Sequence, residues 1–335
     1  MKILVTGVAG FIGMHTALRL LEMGHSVMGV DNLNSYYSID LKEARLNRLR
    51  SFNSFAFYQG QIEDRSFIEQ IFTQHSIEYV IHLAAQAGVR YSLQAPQAYV
   101  DSNITGFLTI LEMCRDYAVQ HLLFASSSSV YGANLSMPWH EGQGVDHPLS
   151  FYAATKRANE AMAHSYSHLF AIPCTGLRFF TVYGPWGRPD MAYFKFAQAM
   201  LDHQPITVFN QGQMYRDFTY IDDIVQGIVA LLDRPPTPNQ QDTEFALDPA
   251  ISHAPWRILN IGHEEPVLLM DMITELEGLL NKKALIDWQP FQKGDVLSTY
   301  ASNERLRALV GPLPKTSLHE GLLKFVTWYQ AWRQR

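Results

Sequence analysis

Tyr152 and Lys156, four residues apart in "FYAATKRANE", are a pair whose types and spacing suit proton chemistry. On a helix, positions i and i+4 share one face. A free phenol titrates at about 10 and is a poor base at neutral pH. A neighbouring ammonium favours the phenolate, which can then take and return the proton of an alcohol or sugar hydroxyl. A second concentration of reactive groups lies in "FASSSSVYG", Phe124 to Gly132, where Ser126, Ser127, Ser128 and Ser129 close an apolar run. Hydroxyls placed there serve either a polar turn or a catalytic edge.

Near the start, "TGVAGFIG" sets Gly7, Gly10 and Gly13 directly after an apolar run and at the opening of a helical pattern. Glycines in that place let backbone approach a pyrophosphate, and the helix N-terminus offers unpaired N–H groups and a positive dipole. The spacing is GxxGxxG. Asp31 ends the next apolar run. A carboxylate there accepts from ribose hydroxyls and repels a 2′-phosphate, so the pattern favours NAD over NADP. "DN" is also a good turn pair, but the order strand, glycines, helix, strand, acid favours the ribose role.

The elements that must position these groups alternate along the chain. Residues 3–5, 27–30, 55–58, 79–84, 122–125 and 174–180 are short apolar runs that read as buried strands. Helix-length stretches lie between them; the one that opens at "FIG" stops at Gly24. Strands alternating with helices predict an α/β fold, a doubly wound parallel sheet covered on both faces. "PVLLMDMITELEGLL" and "SLHEGLLKFVTWYQAW" read as helices of a smaller C-terminal lobe. Residues 233–255, with five prolines, read as a surface loop.

The totals exclude other classes. The chain has 335 residues, 47% hydrophobic and 17% charged, with a formal net charge of -6. No Lys/Arg run offers a footprint for nucleic acid. Two cysteines, Cys114 and Cys174, are too few for a disulfide framework. The N-terminus lacks the long apolar core of a signal peptide, and no segment is apolar for long enough to span a bilayer. The expectation is a cytoplasmic protein with no membrane, nucleic-acid or metal partner.

Taken together, GxxGxxG, the acid after the second strand, a Ser-rich strand end before "VYG", and YxxxK resemble the extended short-chain dehydrogenase/reductase family. Over nearly the whole chain, "DNLNSYYSIDLKEARL", "QAGVRYSL", "ASSSSVYGAN", "RFFTVYGPWGRPDMAYFKF", "RDFTYIDDIVQGI" and "KGDVLSTYA" look like its bacterial and plant UDP-glucuronate 4-epimerases of polysaccharide biosynthesis. The resemblance implies a Rossmann-type NAD-binding domain over 1–178, with a return segment at about 216–262, and a nucleotide-sugar-binding α/β lobe over 179–335. It implies catalysis by Tyr152, Lys156 and Ser127. It implies NAD binding by Gly7, Gly10, Phe11, Ile12, Gly13, Asp31, Asn32, Gln61, Ile62, Leu83, Ala84, Ala85 and Asn103, with Tyr152 and Lys156. The UDP-sugar falls to Arg90, Ser127, Ser128, Ser129, Tyr152, Thr181, Arg188, Arg216 and Asp295, with Arg188 near the C6 carboxylate. A homodimer is implied as well. His82 reads as a core histidine.

The chain departs from the family pattern at Gln61, where an Asp is usual, at Met14, where a Ser is common, and in "FQKGDV". The related dehydratases carry Asp-Glu after the Ser/Thr, and the UDP-glucuronate decarboxylases carry Glu two before the Tyr. Here those places hold Ser128 and Ser129. UDP-glucose/UDP-galactose 4-epimerase is the alternative, and Arg188 favours a charged sugar over it. A non-catalytic NAD-sensing regulator lacks the Tyr/Lys pair, which is intact in this chain.

Overall fold

The computed structural model describes residues 1–238, 248–292 and 296–335. The middle of the proline-rich 233–255 stretch and Asp295 therefore lie outside the described residues.

Strand β1, Lys2–Thr6, shows why its sequence is apolar without alternation. Ile3 and Val5 enter one hydrophobic cluster and Leu4 enters another, on the opposite face of the sheet. A strand covered on both sides has no polar face. The chain continues through α1 (Phe11–Glu22), β2 (Ser26–Asp31), α2 (Ile39–Leu49), β3 (Phe55–Gln59), α3 (Arg65–Gln74) and β4 (Tyr79–His82). A short helix α4 (Pro96–Tyr99) runs through a π-helical turn, Val100–Thr105, into α5 (Gly106–Asp116). Then follow β5 (His121–Ser127), α6 (Phe151–Phe170) and β6 (Cys174–Phe179).

Past this point two small sheets appear. They draw on β7 (Thr181–Tyr183), β8 (Pro205–Phe209) and β9 (Tyr215–Tyr220), with α7 (Ala192–Leu201) between the first two. Helix α8 (Ile221–Leu232) packs on α1, and β10 (Trp256–Ile261) pairs with β6. The remaining elements are β11 (Pro266–Leu268), α9 (Leu269–Leu280), β12 (Leu285–Gln289), α10 (Glu304–Val310) and α11 (Leu318–Arg333).

The main sheet has the order β10-β6-β5-β4-β1-β2-β3, with every pairing parallel. The strand order reverses between β1 and β4. In doubly wound sheets ligands bind in the crevice outside the carboxyl ends of the strands at that reversal. The fold is the Rossmann-type α/β fold that the sequence predicts. Two details differ from the sequence expectation. The seventh strand, β10, lies beyond the six apolar runs read as strands. The stretch read as one helix from Pro266 begins as strand β11, antiparallel to β9. Pro266 has no N–H to donate, and the first residue of an edge strand is where that is tolerated.

One ion pair ties α6 to the sheet. Arg178 Nε lies 2.8 Å from Glu160 Oε1, both side chains are 1% exposed, and Ser126 Oγ donates to the same carboxylate at 2.6 Å. No helix is long and apolar enough to cross a membrane among the described residues. Removing one partner of a buried pair strands the other charge. Glu160→Ala is expected to lose about 3–5 kcal/mol of stability, measured by urea denaturation, and a loss below about 1 kcal/mol would overturn this account of the pair.

Candidate active site

The Gly-rich turn is built by close approach. Gly7 adopts φ +69, and a Cβ there would stand 2.7 Å from the Ala84 nitrogen, at the end of β4. A Cβ on Gly13 would come within 2.1 Å of the Gly7 carbonyl oxygen, and one on Gly10 within 2.8 Å. Alanine at Gly13 therefore has no room. Helix α1 starts at Phe11 with Gly10 as N-cap and no side chain capping it. Its first N–H groups have no intrahelical partner and are open to an anion.

Asp31 sits beside this turn and is 9% exposed. It accepts from Ala9 N–H at 3.1 Å and Leu33 N–H at 2.9 Å. Burial raises its pKa against the pull of these donors and of Lys42 and Arg45. A carboxylate has about four lone-pair sites, so two backbone bonds leave room for ribose hydroxyls. An uncapped helix start, a turn with no space for Cβ atoms and an acid at the second strand end fit a dinucleotide.

A cavity of about 910 Å³ runs from this turn across the strand ends to the small sheets. On the nucleotide side it is lined by Gly7, Gly10, Phe11, Ile12, Gly13, Asp31, Asn32, Ile62, Leu83, Ala84 and Ala85. Two residues expected there stand elsewhere. Gln61 is exposed and off the cavity wall, and its amide oxygen accepts from Asn32 Nδ2 at 2.8 Å. Asn103 lies behind the wall. Its Oδ1 accepts from Gln86 N–H at 2.8 Å, and its Nδ2 donates to Thr155 Oγ1 at 3.0 Å. It ties the loop after β4 to α6.

The reacting groups stand on α6 and the end of β5. Ser150 caps α6 by accepting from Ala153 N–H at 3.1 Å, which puts Tyr152 in the first turn and Lys156 one turn on. Both face the cavity with Ser127, Ser128 and Ser129. Lys156 is 2% exposed and donates to the Ala125 carbonyl at 2.9 Å. Burial lowers its pKa to about 8. The Ser127 hydroxyl interacts with the Tyr152 phenol. The serine run thus divides its work: Ser126 bonds the buried ion pair and Ser127 meets the tyrosine. The phenol differs from the sequence expectation. Burial raises its pKa, and the cation that opposes the shift is Arg188. Lys156 spends its bond on a backbone carbonyl instead.

The far side carries Thr181, Arg188, Arg90 and Arg216 on the same cavity. Arg188 grips Asp190, Nε to Oδ1 at 3.0 Å and Nη2 to Oδ2 at 2.5 Å. Arg90 lies over the Phe209 ring at 4.7 Å, and Arg216 donates to the Tyr215 and Leu297 carbonyls.

Sequence reasoning missed four supporting residues. Lys42 lines the cavity beside Asp31 and donates to the Asn34 carbonyl at 2.6 Å. Arg45 is buried and donates to the carbonyls of Trp186, Gly187 and Ala9. It thereby locks the loop that carries Arg188 onto the Gly-rich turn. Tyr36 and Asp190 complete the set. Lys42 and Arg45 sit three apart on α2 within "LKEAR", which was the one available signal.

The family description of the NAD dependent epimerase/dehydratases matches residues 3–244, and the chain belongs to that family. It is 50% identical over 329 residues to Protein CapI of Staphylococcus aureus, with 98% of each chain covered. It is 47% identical over 330 residues to a probable UDP-glucuronate 4-epimerase of Rhizobium meliloti, covering 98% of this chain and 97% of that one. The crystal structure of UDP-glucuronic acid 4-epimerase from Bacillus cereus with UDP-glucuronic acid and NAD matches with a TM-score of 0.85. Its identity is 34%, and 99% of this chain and 100% of that one are covered.

His82 is a core histidine. Thr6 Oγ1 accepts from the Leu83 and Ala84 N–H groups, so its own proton goes to His82 Nδ1 at 2.8 Å. Burial holds His82 and His15 down to about 3 and His121 to about 4. The unfolded chain binds protons on these rings below about pH 6.5, and the folded chain does not. Stability therefore falls as pH drops from about 6.5 toward 4. In His82→Gln the urea midpoint should fall less steeply between pH 7 and pH 4.5 than in the parent. An unchanged slope would contradict a neutral His82.

Proposed function

We propose that this chain catalyses the NAD-dependent 4-epimerisation of UDP-glucuronate to UDP-galacturonate through a transient 4-keto sugar. The observation that carries the reading is one cavity lined by Tyr152, Ser127, Lys156 and Arg188. Among the described residues, the carboxylates lining the cavity are Asp31, at the nucleotide end, and Asp190, paired with Arg188. Eliminating water needs a further acid and base beside the sugar, and Ser128 and Ser129 stand in those places.

Bound NAD supplies the hydride acceptor and, on return, the donor; Gly7, Gly10, Gly13 and Asp31 would hold it. Tyr152 takes the proton of the 4′-hydroxyl and gives it back, a service worth about 10²–10⁴ in rate. Ser127 holds that hydroxyl in line. Lys156, bonded to the Ala125 carbonyl, holds the helix that carries the phenol against the end of β5, while Arg188 is the cation that favours the phenolate. Arg188 grips the C6 carboxylate. That grip has a second purpose, because a 4-keto uronate is a β-keto acid. If its C5–C6 bond lies across the carbonyl plane, the bond breaks, carbon dioxide leaves and the electron pair passes into the C4 enolate. Arg188 keeps the bond near the plane in each of the two poses in which hydride moves.

Two cysteines, both free and buried, suit a cytoplasmic enzyme. We also infer a homodimer. Leu108 on α5 is 41% exposed, and Leu169 and Phe170 at the end of α6 are 64% and 44% exposed. These groups stand on the two helices that the family resemblance assigns to a dimer interface. Light scattering should give twice the 38.1 kDa chain mass; a monomer at micromolar concentration would refute it.

The direct test is purified protein with UDP-glucuronate and no added NAD, followed by NMR of the anomeric and H4 protons. UDP-galacturonate should appear without carbon dioxide. Turnover of UDP-glucose alone would move the assignment to the neutral sugar. Arg188→Ala should release carbon dioxide, and clean epimerisation by that variant would remove the role given to Arg188.

A further inference from the structure

The proposed carboxylate ligand, Arg188, already holds a carboxylate. Asp190 takes Nε and Nη2 of its guanidinium at 3.0 and 2.5 Å. Tyr36 donates to Asp190 Oδ2 at 3.2 Å. All three line the cavity. Tyr36 comes from the loop after β2, remote in sequence from Asp190. Its seat exists because residue 88 is glycine: a Cβ there would stand 2.5 Å from the Tyr36 hydroxyl. Beneath, Arg45 fixes the Trp186 and Gly187 carbonyls. The backbone under Arg188 is therefore rigid, and the choice left to the guanidinium is which carboxylate it serves.

We propose that Asp190 is the resident counter-ion of Arg188, competing with the sugar carboxylate so that the grip on a uronate can be released in mid-cycle. This rests on the uronate reading above. The chemistry requires such release. A 4-epimerase must present both faces of C4, so the keto sugar turns within the pocket. An arginine whose sole partner was the substrate carboxylate would hold the sugar in one pose. Binding that tightens the ground state as much as the transition state does not raise turnover. Asp190 gives Arg188 a partner to fall back on, and its like charge weakens the hold on an incoming carboxylate at close range. A neutral sugar does not compete for Arg188, so Asp190 acts on charged sugars alone. Asp190 thereby separates affinity from turnover for uronates.

The test is steady-state kinetics of the purified enzyme and of Asp190→Asn, with UDP-glucose as a competitive inhibitor. For UDP-glucuronate, KM and kcat should both fall, each by about tenfold, while the inhibition constant of UDP-glucose changes by less than about twofold. A rise in KM, an unchanged kcat, or an inhibition constant that moves in step with KM overturns the proposal. Tyr36→Phe supplies a second reading of opposite sign. It removes a donor from Asp190, strengthens its hold on Arg188, and should raise KM for UDP-glucuronate about two- to threefold without moving the UDP-glucose constant. A fall in KM there also overturns it. A parent enzyme that turns over UDP-glucose and leaves UDP-glucuronate unchanged would instead defeat the uronate reading, and this proposal with it. A parent that selects the uronate while Asp190→Asn leaves KM and kcat alone defeats this proposal only.

Discussion

The near-contact between Gly7 and the backbone at Ala84 is the constraint on which the site depends. β1 and β4 are neighbours, yet the helices that follow them lie on opposite faces of the sheet. Their ends must part at this point, and the chain leaves each strand with backbone almost touching backbone. Any side chain on Gly7 would close the gap, at 2.7 Å from the Ala84 nitrogen. With hydrogen there, the turn folds down, α1 begins at Phe11, and its free N–H groups open onto the cavity. The same tight packing recurs at Gly13. Three glycines therefore serve the protein's own backbone first, and a dinucleotide site is the consequence.

The second organising feature is the treatment of charge. Four of the cations on or behind the cavity have partners of different kinds. Lys156 bonds a strand carbonyl, Arg45 bonds the carbonyls of two loops, Lys42 bonds Asn34, and Arg188 bonds Asp190. Carbonyl partners hold a cation in place without neutralising it. Of these four, Arg188 is the one hydrogen-bonded to a carboxylate, and it is the cation proposed for a charged substrate. Burial raises the pKa of the phenol against the pull of Arg188 and Ser127.

Rigidity is concentrated where the two halves of the cavity meet. The Arg178–Glu160 pair binds α6 to β6, and Asn103 binds α6 to the loop after β4. Arg45 binds the Arg188 loop to the Gly-rich turn. Tyr152 on α6, the glycines on α1 and Arg188 are thus fixed to one another through buried polar groups, which have no cheap alternative partner once removed from water.

The sequence by itself determined the parts whose logic is local. The glycine spacing, the acid ending the second strand and the i, i+4 Tyr/Lys pair all act within a few residues. Apolar runs without alternation announced a sheet covered on both faces. Arg188, Arg90, Arg216 and Thr181 were legible through resemblance, and the structure puts them on the same cavity. The tertiary structure decided which of these groups meet and what occupies them. Tyr36 and Asp190 are 154 residues apart, and Arg45 and Trp186 are 141 apart. Gln61 and Asn103 kept their places in the pattern but turned their polar atoms to Asn32 and Gln86. Spacing along a chain fixes which face of an element a side chain takes. It does not say which polar atom, brought close by folding, will satisfy that side chain first.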